Sequence, residues 1–494
     1  MAGYDLPRDM IFAAGEWRRG RGEPIVSVFP ADESENRVLH GASSADVADV
    51  VGKAEEASRS AEWLVLKPHQ RATYLFRISD LINRDIERIA YVQSRDTGKT
   101  LRETRALAQS AAATFRYYGS VCETLEEAIT PSRGDYLSFS LHEPIGVVAA
   151  ITPWNSPIAS DAQKVAPALA AGNAVILKPA SWSPLVSLEL ARIIEEAGLP
   201  RGLFSVLAGG GSVVGDALVE HPAVGRVSFT GGTAVGLGIA AKAAAKLMPV
   251  SLELGGKSPT LVFDDCDMEQ ALAGILFGMF SSTGQACVAG SRLLVQRSIH
   301  DSFVERLVAA TRALRVGHPF AAATQVAPLV RGPHRDAVER HVQGALAAGA
   351  RLLCGGTRPE APEQGFYYLP TILAGVANTD RIAREEIFGP VLVVMPFEDE
   401  DEAIAIANDN DYGLACGIWT QSFQRACRVS RAIRVGTTWV NTYKQFSIST
   451  PFGGEKNSGI GREKGVQGLL AYTRQKSLYL DMSGKALPWA ALGH

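Results

Sequence analysis

Cysteine is scarce in this sequence: there are six in 494 residues (Cys122, Cys266, Cys287, Cys354, Cys416 and Cys427), and none forms a CxxC pair. That excludes a disulfide scaffold and points to a reducing compartment, most simply the cytoplasm, where any cysteine that matters acts as a thiol. A dominant charge sign is missing too, with 49 Lys and Arg against 52 Asp and Glu. The broad basic field of a nucleic-acid binder is therefore absent, and no such partner is expected. No stretch holds 18 uninterrupted apolar residues, and the N-terminal MAGYDLPRDMIFAAGEW lacks a basic segment followed by an apolar core. Neither a membrane span nor a secretory signal is expected. The nine histidines are scattered, so a Cys–His protease pair finds no local support and no metal is expected.

What is present is ordinary globular composition, 46% hydrophobic and 20% charged, in a chain long enough for two or three domains. Glycine is abundant at 48 residues, which suits tight turns and close backbone approach to a ligand. Between 145 and 255 short apolar runs alternate with helix-like segments: IGVVAAI (145–151), NAVILK (173–178), LFSVL (203–207), RVSF (226–229) and PVSLEL (249–254). Such alternation predicts βαβ units around a parallel sheet. Right-handed crossovers then gather the strand-to-helix loops at one edge, where open α/β sheets bind ligands. Those loops are TPWN, KPAS, AGGG, FTGGT and LELGG, and they predict a ligand crevice. A second series follows Pro259, with runs at 261–263, 293–296, 391–397 and 439–441 and helices over 268–280 and 301–314, predicting a second α/β domain. Residues 44–120 read as mostly helix. The β-prone stretches 130–142 and 473–482 suit a flap or an intersubunit strand pair.

Several residues in these loops carry chemistry, each with a plainer alternative. Cys287, in SSTGQACVAGSR, is either a nucleophilic thiol reachable between small neighbours or an inert buried cysteine. Glu253, ending the fifth run, is either a general base or an exposed acid at a strand terminus. Asn155 in TPWN is either a turn residue or an amide donor to a developing oxyanion. Lys178 is either solvated or bonded to a ribose or phosphate. FTGGTAVG places a helix N-terminus where a phosphate can sit, although it is no GxGxxG.

Taken together, TPWN (152–155), KPAS (178–181), FTGGTAVG (229–236), LELGGKSP (252–259), GQACVAGSR (284–292), EEIFGPV (385–391) and PFGGEKNSGIGREKG (451–465) make the chain resemble the NAD(P)-dependent aldehyde dehydrogenase superfamily over nearly its whole length. Most specific is the pairing of LELGGKSP with a cysteine 34 residues after its glutamate. The resemblance implies two α/β domains with parallel-sheet cores plus a small β oligomerisation flap. It divides the chain into a cofactor domain (1–125 and 145–256), a catalytic domain (257–472) and the flap (126–144 and 473–494), with a homodimer or homotetramer as the assembly. It also implies oxidation of an aldehyde to a carboxylic acid, by way of a Cys287 thiohemiacetal and a thioester that Glu253-activated water hydrolyses. Asn155 and the Cys287 N–H would stabilise the oxyanion. The NAD or NADP cofactor would lie against Ile151, Thr152, Trp154, Lys178, Ser181, Gly211, Gly215, Phe229, Thr230, Gly231, Gly232, Thr233, Leu254, Glu386 and Phe388. Lys178 would meet the adenine ribose and Glu386 the nicotinamide ribose.

Two departures from the family pattern bear on the cofactor. Ser181 stands where NAD-preferring members carry a glutamate that binds both adenine-ribose hydroxyls, and Ala234 replaces the glutamate usual after FTGST. Without a carboxylate at 181 the repulsion of a 2′-phosphate is gone, and the serine hydroxyl can donate to it, so both dinucleotides are expected to serve. On the substrate side, Ser156, Ser160 and Gln163 are polar where apolar-aldehyde enzymes place large apolar residues, which predicts a polar or oxygenated aldehyde. Tyr443, Lys444, Phe446 and Ser449 are the candidates for the opposite wall; Lys444 either favours a carboxylate-bearing aldehyde or points away. Competing readings are a CoA-acylating semialdehyde dehydrogenase and a non-catalytic binding or structural role on the same fold.

Overall fold

Strands buried on both faces read as continuous runs of Val, Ile, Leu and Ala, and such runs build the two sheets here. In the computed structural model, which describes residues 4–485, Val147–Ile151 and Ala174–Lys178 are buried along their whole length. They form the centre of an eight-stranded sheet. Across its five-stranded parallel core the order is Phe204–Val206, Ala174–Lys178, Val147–Ile151, Val224–Thr230 and Val250–Glu253. These are the five runs read from the sequence. The hairpin Ile11–Ala13 and Glu16–Arg18 extends one edge, and Gly459–Ile460 closes the other. The first run lies mid-sheet, with the second on one side and the fourth on the other. The chain therefore switches direction there, and the loops leaving the two neighbouring strands diverge into a crevice.

The helical stretch anticipated over 44–120 is five helices, of which Ser44–Ser58, Pro68–Arg84, Ile86–Thr97 and Leu101–Thr124 are the long ones. They cover the first sheet together with Pro157–Ala170 and Leu185–Glu196. The longest, Leu101–Thr124, starts on a capping box in which Thr100 and Glu103 satisfy each other's backbone N–H groups.

The second sheet has seven strands in the order Arg351–Cys354, Thr371–Ala374, Val391–Phe397, Arg292–Gln296, Pro259–Val262, Ala415–Trp419 and Thr437–Val440. All pair in parallel except the first two. Helix Met268–Phe280 falls where the periodicity puts it, while His300–Arg312 starts one residue earlier and ends two earlier than read. Strands 351–354, 371–374 and 415–419 and helix Gly332–Ala347 were not legible, because short runs broken by Gly and Pro carry no clear period.

Away from both sheets, Thr473–Asp481, Tyr136–Pro144 and Ala128–Thr130 form a three-stranded antiparallel sheet. The last part of the expected flap, 486–494, lies outside the described residues. Among the described residues no helix is long and apolar enough to cross a membrane.

Candidate active site

The crevice at the switch point opens into a cavity of about 860 Å³ lined by the loops that leave the first sheet. Every residue expected at the cofactor lines it except Thr233, which heads helix Thr233–Ala244 and whose hydroxyl turns to the Asn457 carbonyl at 3.5 Å. Cys287, Glu253 and Asn155 line the same cavity. Residues 132 positions apart in the chain, from Asn155 to Cys287, thus reach one space because the second sheet sets its edge against the first.

That edge is the N-terminal one. Gly255–Lys257 precede strand Pro259–Val262, Cys287 precedes Arg292–Gln296, and Glu386–Phe388 precede Val391–Phe397. Close approach requires glycine at two points. A Cβ on Gly255 would lie 2.2 Å from Glu386 Oε2, and one on Gly256 would lie 2.6 Å from the Cys287 carbonyl oxygen. The thiol loop itself turns through three consecutive left-handed residues, Ser282 (φ 57°), Thr283 (φ 56°) and Gly284 (φ 69°). Ser282 N–H donates to Glu103 Oε1 at 2.6 Å, which ties this strained turn to the capping box of helix Leu101–Thr124. A Cβ at Gly284 would sit 2.3 Å from the Gly389 carbonyl oxygen. Tyr443 closes the loop from below: its hydroxyl donates to the Val288 carbonyl at 3.0 Å.

The electrostatics are those of a dry site. Burial, with the Glu386 and Glu253 carboxyls, pushes the Cys287 thiol up to about 12. Burial, then Glu463, raises Glu253 well above the ordinary carboxylate range, against the pull of Lys164, Arg462 and Lys464. Neither Glu253 oxygen meets a donor among the described residues, so the carboxyl faces the cavity uncommitted. Glu253 is 4% exposed, not the surface acid that was its plainer reading. Behind it the Lys164 ammonium bonds Glu463 and Ser228. The Asn155 amide donates one hydrogen to the Gln285 carbonyl at 3.0 Å, which fixes its orientation, and its second hydrogen meets no acceptor among the described residues.

At the cofactor-side residues, Glu386 accepts from Gly256 N–H at 3.0 Å and is pushed up to about 7 by burial. Lys178 donates to the Pro179 carbonyl at 3.0 Å and is lowered to about 8 by burial. The Ser181 hydroxyl donates to the Gly209 carbonyl at 2.9 Å. That corrects one expectation, because its proton is committed to the backbone rather than offered to a phosphate. Sequence reasoning missed Trp182 and His334 on the cavity wall. Trp154 packs against Trp182, His334 and Phe388 at centroid distances of 5.8, 5.3 and 5.1 Å. His334 belongs to a helix of the other sheet, and its only signal is spatial.

The expected substrate residues divide. Ser156 and Ser160 face each other with hydroxyls 3.4 Å apart at the start of helix Pro157–Ala170, and Gln163 is half-buried on the same helix. Tyr443 is a correction: at 2% exposure with its hydroxyl engaged, it supports the thiol loop and offers nothing to a tunnel. Lys444, at φ 53°, donates to Ser281 Oγ at 2.9 Å. Phe446 is half-exposed, with its ring edge-on to Trp439 and Phe452.

Comparison with known proteins gives the family. Residues 17–478 match the profile described as "Aldehyde dehydrogenase family". A betaine aldehyde dehydrogenase of Brucella melitensis is 42% identical over 471 residues, covering 95% of this chain and 96% of the relative. One from Bacillus subtilis is 39% identical over 483 residues, covering 97% and 99%. Among solved structures, a betaine aldehyde dehydrogenase from Staphylococcus aureus in complex with NAD+ superposes with a TM-score of 0.96 at 34% identity, covering 98% of this chain and 97% of that one. An NAD+ complex of an aldehyde dehydrogenase from Bacillus cereus superposes with a TM-score of 0.94 at 34% identity, covering 97% of each.

Proposed function

This chain belongs to the aldehyde dehydrogenase family and oxidises an aldehyde to its carboxylate with NAD(P)+, and on that premise we propose that Cys287 is the nucleophile, Glu253 the base and Asn155 the oxyanion donor. One observation carries this assignment: the three line one cavity whose remaining wall is made of strand-end loops suited to a dinucleotide. The residues present fit that group. Gly231 and Gly232 lead into helix Thr233–Ala244, where a pyrophosphate finds unpaired N–H groups. The buried Lys178 ammonium and Glu386 carboxyl line the cavity to hold the adenine and nicotinamide riboses.

In this reading the Cys287 sulfur bonds the aldehyde carbonyl carbon as the thiol proton leaves, since a thiol held near 12 rests protonated. The oxyanion formed meets the free Asn155 hydrogen and the Cys287 N–H, donors whose removal elsewhere costs about 3–4 kcal/mol each. When bound, the nicotinamide supplies the two-electron acceptor that leaves an acyl thioester on Cys287. Glu253 then takes a proton from water, whose oxygen attacks the acyl carbon, and the C–S bond breaks to release the carboxylate and restore the thiol. The Lys164–Glu463 pair beside Glu253 offers the proton a way onward. A water-activating carboxylate is what a CoA-acylating enzyme does not need, and an intact nucleophile and base have no use in a structural protein.

We propose domain limits of 1–125 and 145–256 for the cofactor, 257–472 for catalysis, and 126–144 and 473–494 for the flap, a division supported by the two separate parallel cores although Gly459–Ile460 crosses to the first sheet. The outer flap strand is exposed along nearly its whole length, with Leu478, Tyr479 and Leu480 in it, which supports pairing with a second copy in a homodimer or homotetramer. We read the substrate as polar, because alkyl groups against Ser156, Ser160 and Gln163 would leave polar groups unsatisfied at about 1–3 kcal/mol each.

The test is Cys287→Ala. NAD(P)H formation at 340 nm should vanish for every aldehyde while dinucleotide binding, followed by fluorescence, persists. Retained turnover in Cys287→Ala with loss in Cys266→Ala or Cys416→Ala would overturn the assignment. Dependence of wild-type turnover on CoA would overturn the hydrolytic step.

A further inference from the structure

We propose that the aldehyde this enzyme takes carries a carboxylate on its far end, recognised by the ammonium groups of Lys464 and Lys444. The inference rests on the aldehyde-oxidising reading above and names the substrate class within it.

Neither lysine lines the cofactor cavity, although Cys287 and Glu253 do. Lys444 belongs instead to the segment Trp439–Phe452, and Lys464 lies against its Phe446 and Phe452 rings. Phe452 and Cys287 pack on one cluster with Val288, Trp439 and Tyr443. The Lys464 ammonium lies 4.2 Å from the Phe446 ring centroid and 5.5 Å from that of Phe452. Lys464 is 8% exposed, its backbone is left-handed at φ 61°, and no carboxylate pairs with its ammonium among the described residues. The neighbouring Glu463 is already engaged by Lys164. Lys444 reaches the thiol loop as well, bonding Ser281 just before the left-handed turn that leads to Cys287.

A third ammonium, that of the buried Lys99, stands near Lys444. The carboxylate beside this pair, Glu103, accepts from Ser282 N–H on one oxygen and from Thr100 N–H and hydroxyl on the other, and brings a single negative charge to two lysines. Burial lowers Lys444 to about 7 and Lys464 to about 8, against the pull of Glu103 on the first and of Glu463 and Glu253 on the second, and a ligand's carboxylate beside either amine favours its charged form while it is bound.

The same arrangement disfavours a quaternary ammonium aldehyde. Such a cation needs open aromatic faces, and the Phe446 and Phe452 rings already face the Lys464 ammonium. On the facing helix Ser156, Ser160 and Gln163 carry no ring.

The experiment compares kcat/KM for aldehydes matched in length and differing in charge: the ω-oxoacids from 4-oxobutanoate to 6-oxohexanoate, the alkanals of the same chain length, and trimethylammonioacetaldehyde. At least one ω-oxoacid should exceed its alkanal tenfold or more, with the cation below both. Lys464→Met and Lys444→Met should each reduce the oxoacid-to-alkanal ratio at least tenfold. Methionine at 464 carries the same backbone strain as lysine, so the ratio isolates charge. Lys464→Glu should turn the preference toward the cation. Alkanals or the cation matching every oxoacid in the wild type, or a ratio unmoved in both Met variants, would overturn the proposal and leave aldehyde oxidation standing. Failure of every aldehyde to reduce NAD(P)+ would overturn both.

Discussion

The two sheets share one architecture, a parallel core with a switch in chain direction, yet use opposite edges. In the first, the loops after Val147–Ile151 and Val224–Thr230 part around an open cavity. In the second, the switch lies between Pro259–Val262 and Ala415–Trp419, and the corresponding crevice is plugged. Asp265 there accepts from the Thr420 hydroxyl, Ser422 N–H and Arg425, whose guanidinium lies 4.6 Å from the Phe263 ring centroid. The second sheet instead turns its N-terminal edge to the first and delivers Cys287, Gly256 and Glu386 from it. The rule that open α/β sheets bind ligands beyond their strand C-termini holds for one half of this molecule. In the other half that position is sealed, and Cys287 and Glu386 enter the cavity on loops that hold left-handed residues.

The largest effects should come from groups where the two edges meet. Glu253→Gln keeps the volume and removes the base, and steady-state turnover should fall about 10²- to 10⁴-fold. Thioester hydrolysis should slow more than hydride release, giving a burst of NAD(P)H and an acyl adduct on Cys287 detectable by mass. Because burial and Glu463 raise Glu253, the wild-type rate should climb with pH as that carboxyl ionises, and the Gln variant should lose this limb. Unchanged turnover, or the same pH limb, would remove Glu253 from the role. Asn155→Ala should cost about 10²- to 10³-fold in kcat with cofactor affinity intact. A change in KM alone would return Asn155 to the status of a turn residue.

Legibility from sequence followed the same division. The five runs of the first sheet were readable because each strand is short, apolar and bounded by Gly or Pro, so both the sheet and its crevice followed from local pattern. Glu253 and Asn155 sit where that pattern ends and were visible as strand-end residues. Cys287 was visible only as a cysteine among small residues, and the role proposed for it came from the resemblance. What pattern cannot give is which edge of the second sheet meets the first. His334 was missed for that reason; Trp182, next to Ser181 in a loop of the first sheet, was missed because an aromatic in a loop carries no periodic signal, and Tyr443 was read as a tunnel residue although its hydroxyl holds the thiol loop. The left-handed backbones of Ser282, Thr283, Phe388, Lys444 and Lys464 have no signature in residue type, since only glycine announces positive φ.

A smaller effect separates the two dinucleotides at the open edge. Ser181 gives its proton to Gly209, so tolerance of a 2′-phosphate rests on the missing negative charge rather than on a new donor. NADP should be accepted alongside NAD. In Ser181→Glu the carboxylate would stand near that phosphate, where a unit repulsion at 4 Å is about 4 kcal/mol at an effective dielectric of 20 before screening. The NADP-to-NAD ratio of kcat/KM should therefore fall tenfold or more. Absence of NADP turnover in the wild type, or an unmoved ratio, would assign the choice to other residues.

The smallest expected effect lies at the sealed edge and is confined to stability. Asp265→Ala removes the acceptor shared by Thr420, Ser422 and Arg425, and leaves a guanidinium over Phe263 with Asp264 at 3.7 Å and Glu400 at 3.7 Å as its remaining acids. The hydrogen bonds lost are partly exposed, so the cost should be about 1–3 kcal/mol. For a domain of this size that lowers Tm by about 2–4 °C per kcal/mol. Asp265→Asn, which keeps one oxygen, should lose less. The sealed edge is separated from the Cys287 edge by the length of a strand, roughly 13 Å for four residues. Neither variant should therefore change kcat more than twofold. A loss of kcat without a fall in Tm would mean that the second switch point communicates with the site, and the contrast between an open and a sealed edge would no longer hold.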